Sequence, residues 1–260
     1  AIAERATAAA IEYARGRVQG RDARTGADNT PMIAHADVRR MILTMRAYTL
    51  AARAITYEAA VNLDRAAAGD SAAQDRVEFL TPIVKRFGTD VACSVSSLGV
   101  QVHGGMGFIE ETGAAQFYRD ARILPIYEGT NGIQAMDLVF RKVVRNGGAS
   151  VAAWLRDVRA GGGIGAMDEY LKLVDGTTER ILKLARDHAD SAGAMAMPYA
   201  QMMGLVAGGV MMARALSIPD VPTPIADAAR FYIAQILPLS CAYHAQIMAD
   251  PSVVAVVSSV

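Results

Sequence analysis

The chain has 260 residues, room for one or two domains at about 100–200 residues each and for a sizeable core. Apolar residues make up 52% of it, with 13 Met and few aromatics, a mix that favours packed helices over sheet. The formal net charge is zero and no basic block stands out, which argues against nucleic acid as a partner, because phosphate binding needs a concentrated positive field.

Ala1 already sits in helical rhythm: Ile2, Ala6, Ala9 and Tyr13 share one face, and a first helix is expected to about Gln19. With no Met at its head, the chain is expected to be a piece of a longer protein. Arg21 to Pro31 is polar, carries Gly26, Asp28 and Asn29, and reads as a loop. A long helix follows from about His35 to Ala68, its buried stripe marked by Val38, Ile42, Met45, Thr49, Ala52 and Ile55. Gly69-Asp70-Ser71 ends it. The next helix starts near Ser71 or Gln74, runs to about Val102, and is expected to be interrupted at Pro82.

His103 to Phe108 is a glycine-rich turn. Glu111 to Tyr118 reads as a short helix, Ala121 to Glu128 as an extended link through Pro125, and Thr130 to about Arg145 as a helix with Asn131 and Gln134 spaced as a capping box. Asn146-Gly147-Gly148 reads as a hinge. Beyond it, helices are expected over Val151–Ala160, Met167–Ala192 and Met195–Ala215, then a proline-rich loop over Ile218–Pro224. A last helix over Ala226–Met248 should be kinked at Pro238, and a β-branched tail, Val253–Val257, reads as a short strand or a disordered end. The pattern predicts an all-α protein of two helical units, 1–147 and a smaller 148–260.

The charge-free stretch Ala192–Ala213 is long enough to raise the question of a membrane span. It is mostly Ala and Met, interrupted by Pro198, Gln201 and Gly204, so a buried helix is expected instead. Trp154, Tyr199, Tyr232 and the methionines Met202, Met203, Met211 and Met212 read as core, with an interface role as the alternative. Cys93 and Cys241 form no disulfide framework, and the four His show no short-range ligand pair. No metal is therefore expected, and a reducing cytoplasm is the expected location.

Three segments carry chemistry: Tyr13 to Gln19, Gln101 to Phe108 (QVHGGMGF), and Tyr118 to Gln134 (YRDARILPIYEGTNGIQ). Each has a plain reading. Glycines let backbone N–H groups approach an anion, and they also make ordinary helix–helix turns. Arg17 at a helix end suits the macrodipole or a phosphate. Glu128 just before a helix is favoured by the dipole by up to about 1 kcal/mol, or it is a base. Arg119, Asp120 and Arg122 read as a structural ion-pair cluster, with Asp120 and Arg122 as possible supports of the loop carrying Glu128.

In their order and spacing the three segments resemble the acyl-CoA dehydrogenase superfamily over residues 1–146, and the remainder is similar to an extra helical domain of longer members. The resemblance implies an up-and-down four-helix bundle followed by a smaller helical domain, and FAD as cofactor. It implies that Arg17 meets the FAD pyrophosphate and that Gln19 also binds the cofactor. Gln101, Gly104 and Gly105 would contact the dinucleotide, often from a neighbouring subunit, and Thr130 and Gln134 the region near its adenine. Glu128 would be the base and, with Gly129, lie against the thioester. Glu128 takes the α-proton, flavin N5 the β-hydride, and the product is a trans-2-enoyl-CoA.

An acyl-CoA substrate, an electron-transfer flavoprotein as acceptor and a homodimer or homotetramer are likewise implied. Gly20-Arg21 stand where the family usually has Phe-Gly. That departure points to a longer-chain subgroup, and the extra domain to a long-form dehydrogenase of the type acting on methylthio- or otherwise modified short acyl-CoAs. A helical N-terminal domain and a middle β-domain are implied upstream, so these 260 residues alone are expected to be inactive or to bind FAD poorly. A non-catalytic helical module and an oxidase or nitroalkane-type relative are the alternatives.

Overall fold

Apolar side chains at helical spacing set the architecture of the computed structural model, which describes residues 1–250. The tail over Val253–Val257 lies outside the described residues. Every regular element among the described residues is helical, and the strand-like pairing there is limited to two isolated bridges. The expected all-α class is borne out.

α1 spans Ile2–Gly16 and buries Ala3, Ala6, Ala10 and Ala14. It stops short of Gln19 because Arg17 is extended (φ −78°, ψ 123°) and the chain beyond it pairs across the following loop. The Gln19 N–H donates to Thr30 O (3.0 Å) and the Met32 N–H to Arg17 O (2.8 Å). The expected loop is thus a small hairpin with bridges Val18–Pro31 and Arg21–Asp28.

α2 (Ala36–Ala67) and α3 (Ser71–His103) follow. α3 passes through Pro82 without a break, against expectation. Phe79, Leu80 and Ile83 around the proline are all fully buried, and their packing outweighs the one backbone bond the ring removes.

Residues Gly105–Phe108 form the short α4. Ala114–Ile123 form α5, later and longer than the helix expected over 111–118. The link to Glu128 is turned rather than extended: the Ile126 and Tyr127 N–H groups both donate to Ile123 O (3.0 and 3.1 Å). α6 (Asn131–Met136) continues into a wider, π-wound stretch over Asp137–Val143 and a 3-10 turn to Asn146.

Gly147 and Gly148, both at positive φ, turn the chain into α7 (Ala149–Ala160). α8 (Asp168–Asp187) breaks at His188 (φ −152°, ψ 75°), where one helix was expected to run on to Ala192. α9 (Ala189–Ala194) and α10 (Ala196–Leu216) follow. α11 (Thr223–Phe231), a π-wound turn to Ile236 and α12 (Leu239–Met248) complete the chain, with the expected discontinuity at Pro238.

The helices fall in two compact units. The first comprises Ala1–Leu50 and Thr89–Tyr127, the second Ala51–Gly88 and the chain from Glu128 onward. The boundary expected near residue 148 lies inside the second unit. In the first, small residues allow close approach: a Cβ at Gly99 would lie 3.7 Å from that of Ala6 and 3.6 Å from Met45 Cε. In the second, α10, free of charge up to Arg214 in its last turn, is buried nearly all round. Gly204 faces Phe87, and Gly208 faces Tyr232. No described helix is long and apolar enough to cross a membrane. Trp154, Tyr199, Tyr232, Met202, Met203 and Met212 are core, and Met211 is half-buried.

Candidate functional site

Five of the expected cofactor residues, Arg17, Gln19, Gln101, Gly104 and Gly105, lie in the first unit, and all five are exposed. His103 ties their elements together. Its ring is buried, stacks on Tyr13 of α1 at 4.4 Å between centroids, and donates from Nδ1 to Gly99 O (2.7 Å). The C-terminal end of α1 therefore sits beside the glycine turn that closes α3.

Gly104 turns at φ +59°, and neither it nor Gly105 has a heavy atom within 4 Å of where a Cβ would point. Gly107 is different. A Cβ there would lie 2.8 Å from His103 Cβ and 2.9 Å from the Val100 carbonyl carbon, so it packs α4 onto the last turn of α3. Sequence reasoning grouped all three glycines in one turn and missed this division of labour. Open glycine backbone, an exposed guanidinium and an exposed amide are a donor set that fits the diphosphate of a dinucleotide.

Glu128, Gly129, Thr130 and Gln134 lie in the second unit. Glu128 is exposed and takes φ +54°, and Gly129 takes φ +83°, two left-handed residues in succession. Thr130, not Asn131, caps α6: its Oγ1 accepts from the Ile133 N–H (3.2 Å). Gln134 does not complete a capping box, and its Nε2 reaches back to Glu128 O at 3.5 Å.

Asn131 is buried, its Nδ2 donating to Arg86 O (3.3 Å). Lys85 Nζ donates to Gly129 O (2.8 Å) and to Asn131 Oδ1 (3.0 Å). Nothing in the sequence marked Lys85, because its partners lie more than forty residues along the chain.

Arg119 pairs bidentately with Glu110 (both contacts 2.7 Å) rather than with Asp120, and that guanidinium holds the Glu110 carboxyl below its usual range. Arg122 approaches Cys93 Sγ at 4.0 Å. Among the described residues no cluster of His, Cys, Asp and Glu could hold a metal.

The family model of the acyl-CoA dehydrogenase C-terminal domain matches residues 1–142. The 3-methylmercaptopropionyl-CoA dehydrogenase of Ruegeria pomeroyi is 45% identical over 226 residues, covering 80% of this chain and 38% of that protein. The broad-specificity linear acyl-CoA dehydrogenase FadE5 of Mycobacterium tuberculosis is 37% identical over 153 residues, 55% of this chain and 25% of its own length. The chain thus spans well under half the length of these relatives.

Among solved structures, Caenorhabditis elegans ACDH-11 in complex with C11-CoA superposes with a TM-score of 0.73 at 19% identity, over 90% of this chain and 40% of that one. An acyl-CoA dehydrogenase from Bacillus anthracis complexed with FAD gives 0.66 at 17%, over 96% and 50%. These two likenesses speak to the fold.

Proposed function

This chain belongs to the acyl-CoA dehydrogenase family, and from that premise we propose that it serves the FAD-dependent α,β-dehydrogenation of an acyl-CoA thioester, with Glu128 as the base. The observation that carries the reading is the left-handed backbone of Glu128, two residues ahead of the Thr130-capped α6 in a turn with Gly129. A non-glycine residue holds that conformation only where its surroundings over-determine it, and such residues cluster at functional sites.

In the proposed reaction Glu128 removes the α-proton of the thioester. A hydrated carboxylate is too weak a base for this, and Glu128 is exposed in the chain as it stands. The acyl chain and the flavin ring would cover it and exclude that water. The Glu128 N–H donates to the thioester carbonyl, where negative charge develops, and Gly129 lets the backbone pass close by. FAD, when bound, supplies N5 as acceptor of the β-hydride. Arg17, Gln19, Gln101, Gly104 and Gly105 hold its phosphate-bearing part, the last three from a neighbouring subunit. Thr130 keeps its hydroxyl hydrogen, and Gln134 its amide oxygen, to meet the cofactor near the adenine.

In this reading residues 1–147 are the family's helical bundle and 148–260 an additional helical domain. The substrate is a short acyl-CoA of the methylthio or similarly modified kind, the class named by the Ruegeria relative. The product is a trans-2-enoyl-CoA, an electron-transfer flavoprotein accepts the electrons, and the assembly is a cytoplasmic homodimer or homotetramer.

The test is Glu128→Gln in the full-length protein. FAD content should stay at the parent level while turnover falls by on the order of 10²–10⁴-fold, the usual worth of a positioned base. Unchanged turnover refutes the assignment and favours a helix-start acid in a non-catalytic module. The 260 residues alone should show no acyl-CoA oxidation.

A further inference from the structure

We propose that Lys85 is the positioning residue of the base. Its ammonium, bonded to the Gly129 carbonyl and to the Asn131 side chain, locks the left-handed turn on which Glu128 stands. The inference rests on the reading of Glu128 as the base.

Two consecutive left-handed residues, one of them a glutamate, do not hold themselves. On the Glu128 carbonyl, the Gln134 amide sits at the outer limit of a hydrogen bond, 3.5 Å. Thr130 secures the first turn of α6 through Ile133, on the far side of the strained pair. The short bond at the turn is that of Lys85 to Gly129 O, at 2.8 Å. It fixes the peptide plane between Gly129 and Thr130, immediately after the strained residues.

Lys85 does not act from a loop. It projects from the interior of α3, where Leu80, Ile83 and Phe87 are fully buried, so its anchor is rigid. The next residue, Arg86, receives Asn131 Nδ2 on its backbone carbonyl. Two successive residues of α3 thus grip the chain on either side of Thr130.

Electrostatics sharpens the point. A cation at a helix N-terminus opposes the macrodipole, so an ammonium is not the group that general preference would put beside the start of α6. Its place there follows from its hydrogen bonds. An ammonium has three donors and no acceptor, and two of the three are committed to this turn. Release of the Gly129 carbonyl would let the peptide rotate and carry the Glu128 N–H and carboxylate away from the thioester together.

The experiment uses the full-length, FAD-loaded protein. Lys85→Met removes the donors and keeps the stem, and Lys85→Arg keeps charge and donors. Amide exchange over residues 128–134 should speed up in Lys85→Met. Its kcat per bound flavin should fall by on the order of 10- to 100-fold, the cost of a misplaced reacting group, with KM and FAD content near parent values. Lys85→Arg should restore most of the loss.

Unchanged exchange in Lys85→Met overturns the proposal whatever Glu128 does. So does parent kcat per bound flavin with lowered thermal stability or FAD content, the signature of packing alone. If Lys85→Met loses its FAD, Lys85→Gln takes its place, with reduced kcat in support and parent kcat against. Full turnover of Glu128→Gln would strike down the base assignment, while the exchange measurement still judges the grip of Lys85 on the turn.

Discussion

Gly208→Ala should destabilise the second compact unit, although alanine is the better helix former. A methyl at this point of α10 would lie 2.9 Å from Tyr232 Cζ and closer still to the hydroxyl, with Ala51 Cβ behind it at 3.2 Å. Tyr232 is fully buried, and its hydroxyl donates to Leu205 O at 3.0 Å. Alanine gains about 1 kcal/mol of helix propensity. Overpacking costs about 1–3 kcal/mol, and pushing a buried hydroxyl off its acceptor about 1–3 kcal/mol more. The balance is a loss of roughly 3 kcal/mol.

Urea unfolding measures it, followed by emission from Trp154, the single Trp of the 260 residues and 1% exposed. Adding Tyr232→Phe removes the nearest atom and the bond at stake, and should recover part of the loss. If Gly208→Ala stays within about 0.5 kcal/mol of the parent, or if Tyr232→Phe changes nothing in its background, close approach is not what fixes α10.

Thr178→Val should cost about 1–3 kcal/mol by stranding the buried Tyr199 hydroxyl, its partner at 2.8 Å. Burial already holds that phenol well above its ordinary pKa. A double-mutant cycle with Tyr199→Phe should show coupling, and additive losses would contradict the pairing. Glu58→Gln should change how stability depends on pH. Burial raises the Glu58 carboxyl above its usual range, with Arg76 and Arg214 pulling the other way. The folded form therefore binds the proton more tightly than the unfolded one, so Glu58 stabilises below its unfolded pKa and loses that contribution as pH rises through the folded value. Relative to Glu58→Gln, the parent should lose stability on going from mildly acidic to neutral pH, and parallel profiles would refute this.

Helix positions were legible because burial writes itself at a spacing of three and four residues: Val38, Ile42 and Met45 point inward as expected. What misled was local chemistry overruled by packing. Pro82 suggested an interruption, yet Phe79, Leu80 and Ile83 hold α3 straight through it. Pro125 suggested an extended link, yet the Ile123 carbonyl gathers two N–H groups into a turn.

At the candidate site, the motifs nominate residues but carry nothing of their geometry. A left-handed glutamate has no signature of its own, and the cap fell to Thr130 although Asn131 is the stronger capping type. Lys85 could not be found at all, since a hydrogen bond across forty-four residues leaves no local trace.

The π-wound stretch over Asp137–Val143 bears on how this part of the chain can change. Asn131, Ala135, Val139 and Val143 are buried at a strict spacing of four. On an ideal α-helix, four residues overshoot a full circle by about 40°, so that stripe would spiral off its face within three steps. The wider winding takes the excess back, and winding rather than residue choice keeps the four side chains in one angular sector. A one-residue deletion inside the stretch would restore ordinary winding, and eleven steps of about 100° then leave Asn131 within about 20° of its present direction relative to Val143. The stretch thus holds one residue more than ordinary winding needs, and losing it would leave the proposed base facing nearly as it does now.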